Sequence, residues 1–365
     1  MKARLNRHEL ADALGAIGGV VATRTPKPIL QCVLIDARAD HCLLAATDQE
    51  IGLRIVINQV EIMEQGQVVL PADKLSQIVR ESLDEVIDLE LNDTVCHLRG
   101  EGTHFQMFVQ DPADFPPVGE LEGSGDFEID AKLIRRMADW TIFAAARENT
   151  RYAINGVLWD KIGQELSLVA TDGRRLSYAH GQVADGDSPN IKSIVPVKAM
   201  GLLQRILVEA DTNIAVKLTG NQIMIRTIRA TLSTGLVEGQ FPKYQDVIPS
   251  DCDRIAQLKT AEFASAVRQA ALLTNEESKG IRLAFRNGIL TLSSRAPSQG
   301  EATIDIPANY AGTDLLIGFN PYFLVDALKA VQASEVTLKL KDANRPGILT
   351  ADPNFLYVVM PVNLS

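Results

Sequence analysis

The chain has 365 residues, more than one hydrophobic core usually organises, since cores stop growing near roughly 250–300 residues; about three domains are expected. Its 46% apolar and 22% charged residues are those of a folded globular protein, which excludes disordered, collagen-like and low-complexity chains. With 36 Lys and Arg against 46 Asp and Glu, the net charge of −10 excludes whole-surface attraction to phosphates, so any nucleic-acid contact has to be local or geometric.

In chain order, the start MKARLNRHELADAL carries charges where a secretory signal needs an apolar run. No later stretch is long and apolar enough for a membrane span, so a cytoplasmic protein with no membrane partner is expected. A helix is predicted over 7–22, and strands follow in VLIDARADHCLLAATDQEIGLRIVI from Val33. VVLPADKLSQIVRESL reads as a strand ended by Pro71 and a helix over 72–84; IDLELNDTVCHLR returns to strand, and DFPPV (114–118) closes the unit. After the Gly- and Ser-rich stretch GELEGSGDF (119–127) the same order starts again, with a helix over 130–148 carrying Leu133, Met137, Trp140 and Ile142 or Ala144. VLWDKIGQELSLVATDGRRLSYAHG, from Val157, repeats the first strand block at an offset of 124, with the ATD triplets at 46–48 and 170–172. Pro196 precedes a helix over 198–210, AVKLTGNQIMIRT is a hairpin turning at Gly220-Asn221, and QFPKYQDVIP (240–249) closes the second copy. The third copy begins after 249–256. It has a helix over 259–279 with Phe263, Val267, Ala270 and Ala271 at helical spacing, then IRLAF-RNG-ILTLS, whose Asn-Gly pair is the strongest short hairpin signal. Asn320 opens a helix over 321–332 with Pro321 at its first position, where a missing N–H costs nothing, and VTLKL (336–340) is strand.

Two helices and several short strands per copy define the fold class as α+β: three similar domains, each with two helices packed on antiparallel sheet, at 1–122, 126–249 and 254–365. Exposed strand edges recruit other chains, and closure removes them. If successive sheets join edge to edge, a head-to-tail homodimer closes a six-domain ring with twelve helices. At about 10 Å between helices the ring has a circumference of roughly 120 Å and a clear bore of about 28 Å, wide enough for a double helix. The six helical windows hold as many basic as acidic residues, so the acidic excess lies outside them, as a DNA-lined bore with a DNA-repelling exterior requires. The same neutrality also follows from the liking of helices for Lys, Arg and Glu together.

Four stretches, RYAINGVLW (151–159), ATDGRRLS (170–177), FPKYQDVIP (241–249) and YVVMPVNL (357–364), occur in the order and spacing of the sliding clamps, the beta subunits of bacterial DNA polymerase III, and the chain closely resembles that family along its whole length. The resemblance implies a DNA clamp fold and a homodimeric ring around double-stranded DNA without sequence specificity. It also implies no catalytic activity, no cofactor and no metal. The implied partners are the polymerase III alpha subunit, the clamp loader, and other polymerases and repair proteins, bound through short peptides. The implied peptide pocket matches Arg151, Ile154, Thr171, Gly173, Arg174, Arg175, Leu176, Pro242 and Val247, together with Asn320, Phe323, Val358, Met360, Pro361, Val362 and Leu364. For DNA the resemblance points to Arg24, Arg147 and Tyr152. The helical windows add Lys74, Arg80, Lys132, Arg135, Arg136, Lys198, Arg205, Arg268 and Lys329, whose collective placement matters more than any one charge. The implied dimer seam is Phe105 with Met107, and Leu272 with Leu273. Three features depart from the family: Asp246 stands where its best-known members carry arginine, Ala153 replaces an aromatic, and Asn363 replaces a basic residue with Ser365 following.

An enzyme reading, or a monomeric scaffold or hydrolase on the same repeats, is the alternative. The sequence lacks GxxxxGK, HExxH and GxSxG, and its five histidines show no ligand spacing. Cys32, Cys42, Cys96 and Cys252 form no CxxC pair, and His41-Cys42 and Cys96-His97, adjacent on strands, point to opposite faces. Asp185-Gly186-Asp187 resembles a calcium loop for three residues only. Asp48 and Asp172 recur in register, and such a repeat reads as turn chemistry rather than acid–base catalysis.

Overall fold

The computed structural model describes residues 1–146, 153–184, 188–210, 212–274 and 280–363. The first copy runs β1 (Lys2–Asn6), α1 (Arg7–Ile17), β2 (Cys32–Ala37), β3 (Cys42–Thr47), β4 (Ile51–Ile57), β5 (Val60–Glu64), β6 (Gly66–Pro71), α2 (Ala72–Glu81), β7 (Val86–Asn92), β8 (Val95–Gly100) and β9 (Thr103–Phe108). The second runs β10 (Phe127–Asp130), α3 (Ala131–Thr141), β11 (Gly156–Ile162), β12 (Glu165–Thr171), β13 (Arg175–Gln182), β14 (Ile191–Pro196), α4 (Val197–Ile206), β15 (Asn213–Thr219), β16 (Gln222–Arg226) and β17 (Ala230–Gly235). The third runs β18 (Arg254–Lys259), α5 (Thr260–Ala271), β19 (Ile281–Arg286), β20 (Ile289–Ala296), β21 (Gly300–Pro307), β22 (Asn309–Ala311), β23 (Leu315–Phe319), α6 (Pro321–Ala330), β24 (Glu335–Leu340), β25 (Gly347–Asp352) and β26 (Phe355–Val359).

Local chemistry sets these elements. The Asn6 side chain accepts the His8 and Glu9 N–H groups and starts α1; Asn320 accepts the Tyr322 N–H ahead of Pro321 and starts α6. The helices are shorter than their sequence windows for equally local reasons. Gly18 and Gly19 follow the end of α1, and in α3 the Thr141 hydroxyl donates to the Met137 carbonyl in the last turn. The hairpins β15–β16 and β19–β20 turn through Gly220 (φ 59°) and Gly288 (φ 79°), a conformation that glycine adopts without a Cβ clash.

The chain forms two compact units, one of Met1–Lys132, Val183–Pro189 and Lys198–Leu236, the other of Leu133–Gln182, Asn190–Val197 and Val237–Ser365. In the first, a five-stranded sheet is ordered β5-β1-β7-β8-β9 and an eight-stranded sheet β10-β15-β16-β17-β4-β3-β2-β6. In the second, a nine-stranded sheet is ordered β14-β11-β12-β13-β26-β25-β24-β18-β22 and a four-stranded one β21-β20-β19-β23. The two large sheets each join two copies. β4 of copy one pairs with β17 of copy two, and β13 of copy two pairs with β26 of copy three, always antiparallel. One rule covers both junctions: the strand after the ATD turn pairs with the last strand of the next copy. Among the described residues no helix is long and apolar enough to cross a membrane.

Candidate functional site

The ATD repeat builds the same turn twice. The Thr47 hydroxyl donates to the Ile51 carbonyl (2.9 Å), and Asp48 Oδ1 accepts the Glu50 and Ile51 N–H groups (3.0 and 2.7 Å). In copy two the Thr171 hydroxyl donates to the Arg175 carbonyl (2.6 Å), and Asp172 Oδ1 accepts the Arg174 and Arg175 N–H groups (3.0 and 3.1 Å). Both aspartates therefore serve as turn closers, each with its second oxygen left to hold a cation. Asp48 Oδ2 accepts from Lys198 Nζ at 2.6 Å. Burial pushes the Asp48 carboxyl up, but the Lys198 bond and the two backbone donors outweigh it and hold the group below the ordinary carboxylate range.

Asp172 Oδ2 accepts from Arg175 Nε at 3.0 Å. The same guanidinium donates to Asp326 (2.7 Å) and to the Phe143 carbonyl (2.8 Å), and its carbon lies 4.6 Å from the Phe323 ring centroid and 5.6 Å from that of Phe143. Burial lowers the Arg175 pKa, while Asp326, the nearby Tyr357 and Asp172 together raise it above the ordinary value, so the cation is permanent. Arg175 thus ties α6 to the second turn, with its charge already compensated by two carboxylates.

Beside this turn lies a cavity of about 450 Å³, lined by Ile154, Thr171, Gly173, Arg175, Leu176, Gln240, Phe241, Pro242, Lys243, Tyr244, Val247, Val358 and Met360. Its floor is one face of the β13–β26 junction, where Leu176 opposes Val358. Its wall is the 240–247 segment, anchored by Tyr244, whose ring stacks on Tyr178 at 6.0 Å and whose hydroxyl meets Asp160 at 3.4 Å. Burial, followed by the negative Asp160, pushes the Tyr244 hydroxyl up to about 12, so it stays protonated and donates to that carboxylate. An apolar socket with methionine at its lip and few polar groups suits aliphatic and aromatic side chains of a short peptide rather than a charged metabolite.

Nine of the residues singled out in the sequence meet at this cavity: Ile154, Thr171, Gly173, Arg175, Leu176, Pro242, Val247, Val358 and Met360. Arg174 is exposed beside it and its carbonyl accepts the Met360 N–H (2.9 Å). Phe323 reaches it only through Arg175, and Asn320 is occupied in capping α6. Pro361 and Val362 line a different hollow with Arg282, Leu316 and Gly318, because the Val362 N–H is drawn to the Gly318 carbonyl. Asp246 is exposed near Val247, and Ala153 is buried in the apolar cluster behind the cavity. Arg151, Leu364, Arg147 and Tyr152 lie outside the described residues, as do Ser365 and Asp185-Gly186-Asp187. Gln240, Phe241, Lys243 and Tyr244 are the lining residues that local pattern did not single out.

Of the cations, Arg24, Lys74, Arg80, Lys132, Arg135, Arg136, Lys198, Arg205, Arg268 and Lys329 are all exposed. Lys198 is held by Asp48, and the Arg136 guanidinium lies over Trp140 at 5.7 Å. Of the seam residues, Phe105 is 44% and Leu272 77% exposed, Leu273 is half-buried, and Met107 packs into its own domain.

Three α+β copies joined edge to edge, with a peptide-sized apolar cavity at the second junction, define the clamp class of fold. Family models for the N-terminal, central and C-terminal domains of the DNA polymerase III beta subunit match residues 1–119, 128–243 and 245–363, and the chain belongs to that family. It is 33% identical over 367 residues to the beta sliding clamp of Pseudomonas aeruginosa and 30% identical over 365 residues to that of Chlamydia muridarum, covering 99% of each. Among solved structures, the P. aeruginosa sliding clamp bound to griselimycin superposes with a TM-score of 0.92 at 31% identity, and the Thermotoga maritima beta subunit with 0.91 at 27%, each over 100% of both chains.

Proposed function

We propose that this chain is a processivity ring: two copies close head to tail around double-stranded DNA and tether the replicative polymerase, with no catalytic step of their own, in the cytoplasm. The cavity at the second junction then takes short peptides from the polymerase alpha subunit, the clamp loader, and other polymerases and repair proteins. The exposed cations on the helices face the phosphates collectively, while the acidic remainder of the surface repels them.

The observation that carries the reading is an unfinished junction. The pairing rule, applied once more, calls for β21 of copy three to pair with β9 of a copy one, and among the described residues β21 and β9 are each paired on one side only. Two residues into their strands, Leu232 in β17 and Tyr357 in β26 lie opposite Leu53 and Ser177 of the neighbouring copy and are 1% and 0% exposed. Phe105 holds the corresponding place in β9 and is 44% exposed. At the ends of the first helices, Gly19 approaches Leu202 and Phe143 packs at a tilt against Tyr357, whereas Leu272 after α5 is exposed. Carrying the register forward sets Phe105 opposite the partner subunit's Ala302, and His104 opposite the partner's Thr303. Light scattering on the eluting protein is expected to give twice 39.8 kDa. A monomer at micromolar concentration would contradict the closure.

A further inference from the structure

We propose a two-histidine site for a first-row transition metal, zinc, nickel or copper, on β8 and β9 beside the seam. His97 Nδ1 and His104 Nε2 lie 2.9 Å apart, with the two rings stacked at 5.1 Å and 22°. The strands position the pair. His97 opposes Gln106 and His104 opposes Arg99, so the histidines are diagonal neighbours on the outer face of the sheet, the face opposite Phe105 and Met107. Other charges on this face are already engaged: Glu90, opposite His97, is bonded to Arg99 (2.7 Å) and Lys2 (3.3 Å), which hold its carboxyl below its ordinary range.

In the metal-free pair one facing nitrogen carries the proton and the other accepts it. A metal needs both facing lone pairs, so that proton moves through water to the other nitrogen of its own ring. A neutral pair releases no proton, and a singly protonated pair releases one. With metal–nitrogen bonds of about 2.0–2.1 Å in tetrahedral geometry the two nitrogens stand about 3.4 Å apart, so these exposed side chains have to part by about half an ångström and turn their stacked rings until both in-plane lone pairs converge on the metal. Imidazole pairs suit zinc, copper and nickel rather than magnesium or calcium. The remaining positions are open to water and, given the ring closure proposed above, to the facing strand. There the partner subunit's Glu301 and the partner's Asp305 flank the place opposite His104. A carboxylate from that strand would complete the site across the seam, and metal would then tighten the dimer.

The test is calorimetric titration of zinc chloride into the intact protein in a non-chelating buffer, comparing the unaltered chain with His97→Gln, His104→Gln and, as a control, His41→Gln. The expected result is one metal per chain, with affinity weakened about tenfold or more by either site substitution and unchanged in the control. Equal affinity in all four proteins overturns the site. The dimer dissociation constant is measured in parallel with zinc and with EDTA. Tightening by zinc that Glu301→Gln or Asp305→Asn removes supports the cross-seam ligand, and an unchanged constant overturns that part. A chain monomeric in both conditions refutes the ring reading alone, because the titration still reports on the histidine pair.

Discussion

At the scale of single residues, the ATD turn shows how one short motif serves two ends. Gln49 in copy one sits at φ 78°, where copy two has Gly173 at φ 84°. Gln49→Gly is expected to stabilise the chain by up to about 1 kcal/mol, read as a raised denaturant midpoint, since glycine meets no Cβ clash there. Lys198→Met probes the second aspartate oxygen. Because the Asp48 carboxyl is held down in the folded state, its stabilising effect is present above the ordinary carboxylate range and is lost as pH falls through the lowered value. The substitution is therefore expected to lower stability at pH 7, by an amount that shrinks as pH falls through the carboxylate range. Arg175→Ala strips a mostly buried cation from Asp172 and half-exposed Asp326 and removes the stacking on two rings; a loss of about 2 kcal/mol is expected by chemical denaturation. The turn role of both aspartates was legible because the triplet recurs in register. Tyr244 was not, although its segment was in view, because its burial depends on Tyr178 from a distant strand, and no local period carries that information.

At the scale of elements, the hairpins at Gly220 and Gly288 were legible from turn chemistry alone, whereas helix lengths were not, since Thr141 and the Gly18-Gly19 pair end helices whose apolar spacing runs on. The strand edges carry the sharper expectation. Phe105→Ala and Leu272→Ala each remove apolar surface that the third junction is expected to bury, so each should raise the dimer dissociation constant by roughly tenfold to a hundredfold with little effect on monomer unfolding. Analytical ultracentrifugation at nanomolar concentration reads this directly. Removal of 360–365 takes Met360 from the cavity lip without touching β9 or β21. It is expected to abolish binding of a polymerase-derived peptide by fluorescence anisotropy and to leave the dimer intact. Sequence placed much of this cavity through family likeness, and it could not tell that Pro361 and Val362 turn away toward Gly318, since strand alternation past Val359 gives way to a single backbone bond.

At the scale of the whole molecule, a threefold repeat of about 124 residues with a net charge of −10 is a physical account of how a protein stays on DNA without gripping it. Topological retention needs weak contacts: strong phosphate binding or base readout would slow sliding. The repeat and its charge pattern were legible from sequence; the pairing rule that leaves β9 and β21 unfinished became visible only once strand order was known. The measurement that tests this account most directly is retention of loaded protein on nicked circular DNA, followed after cutting the circle with a restriction enzyme, at a salt concentration that suppresses ordinary phosphate binding. Stable retention on the circle with rapid loss from the linear form is predicted, and equal retention on both would contradict encirclement.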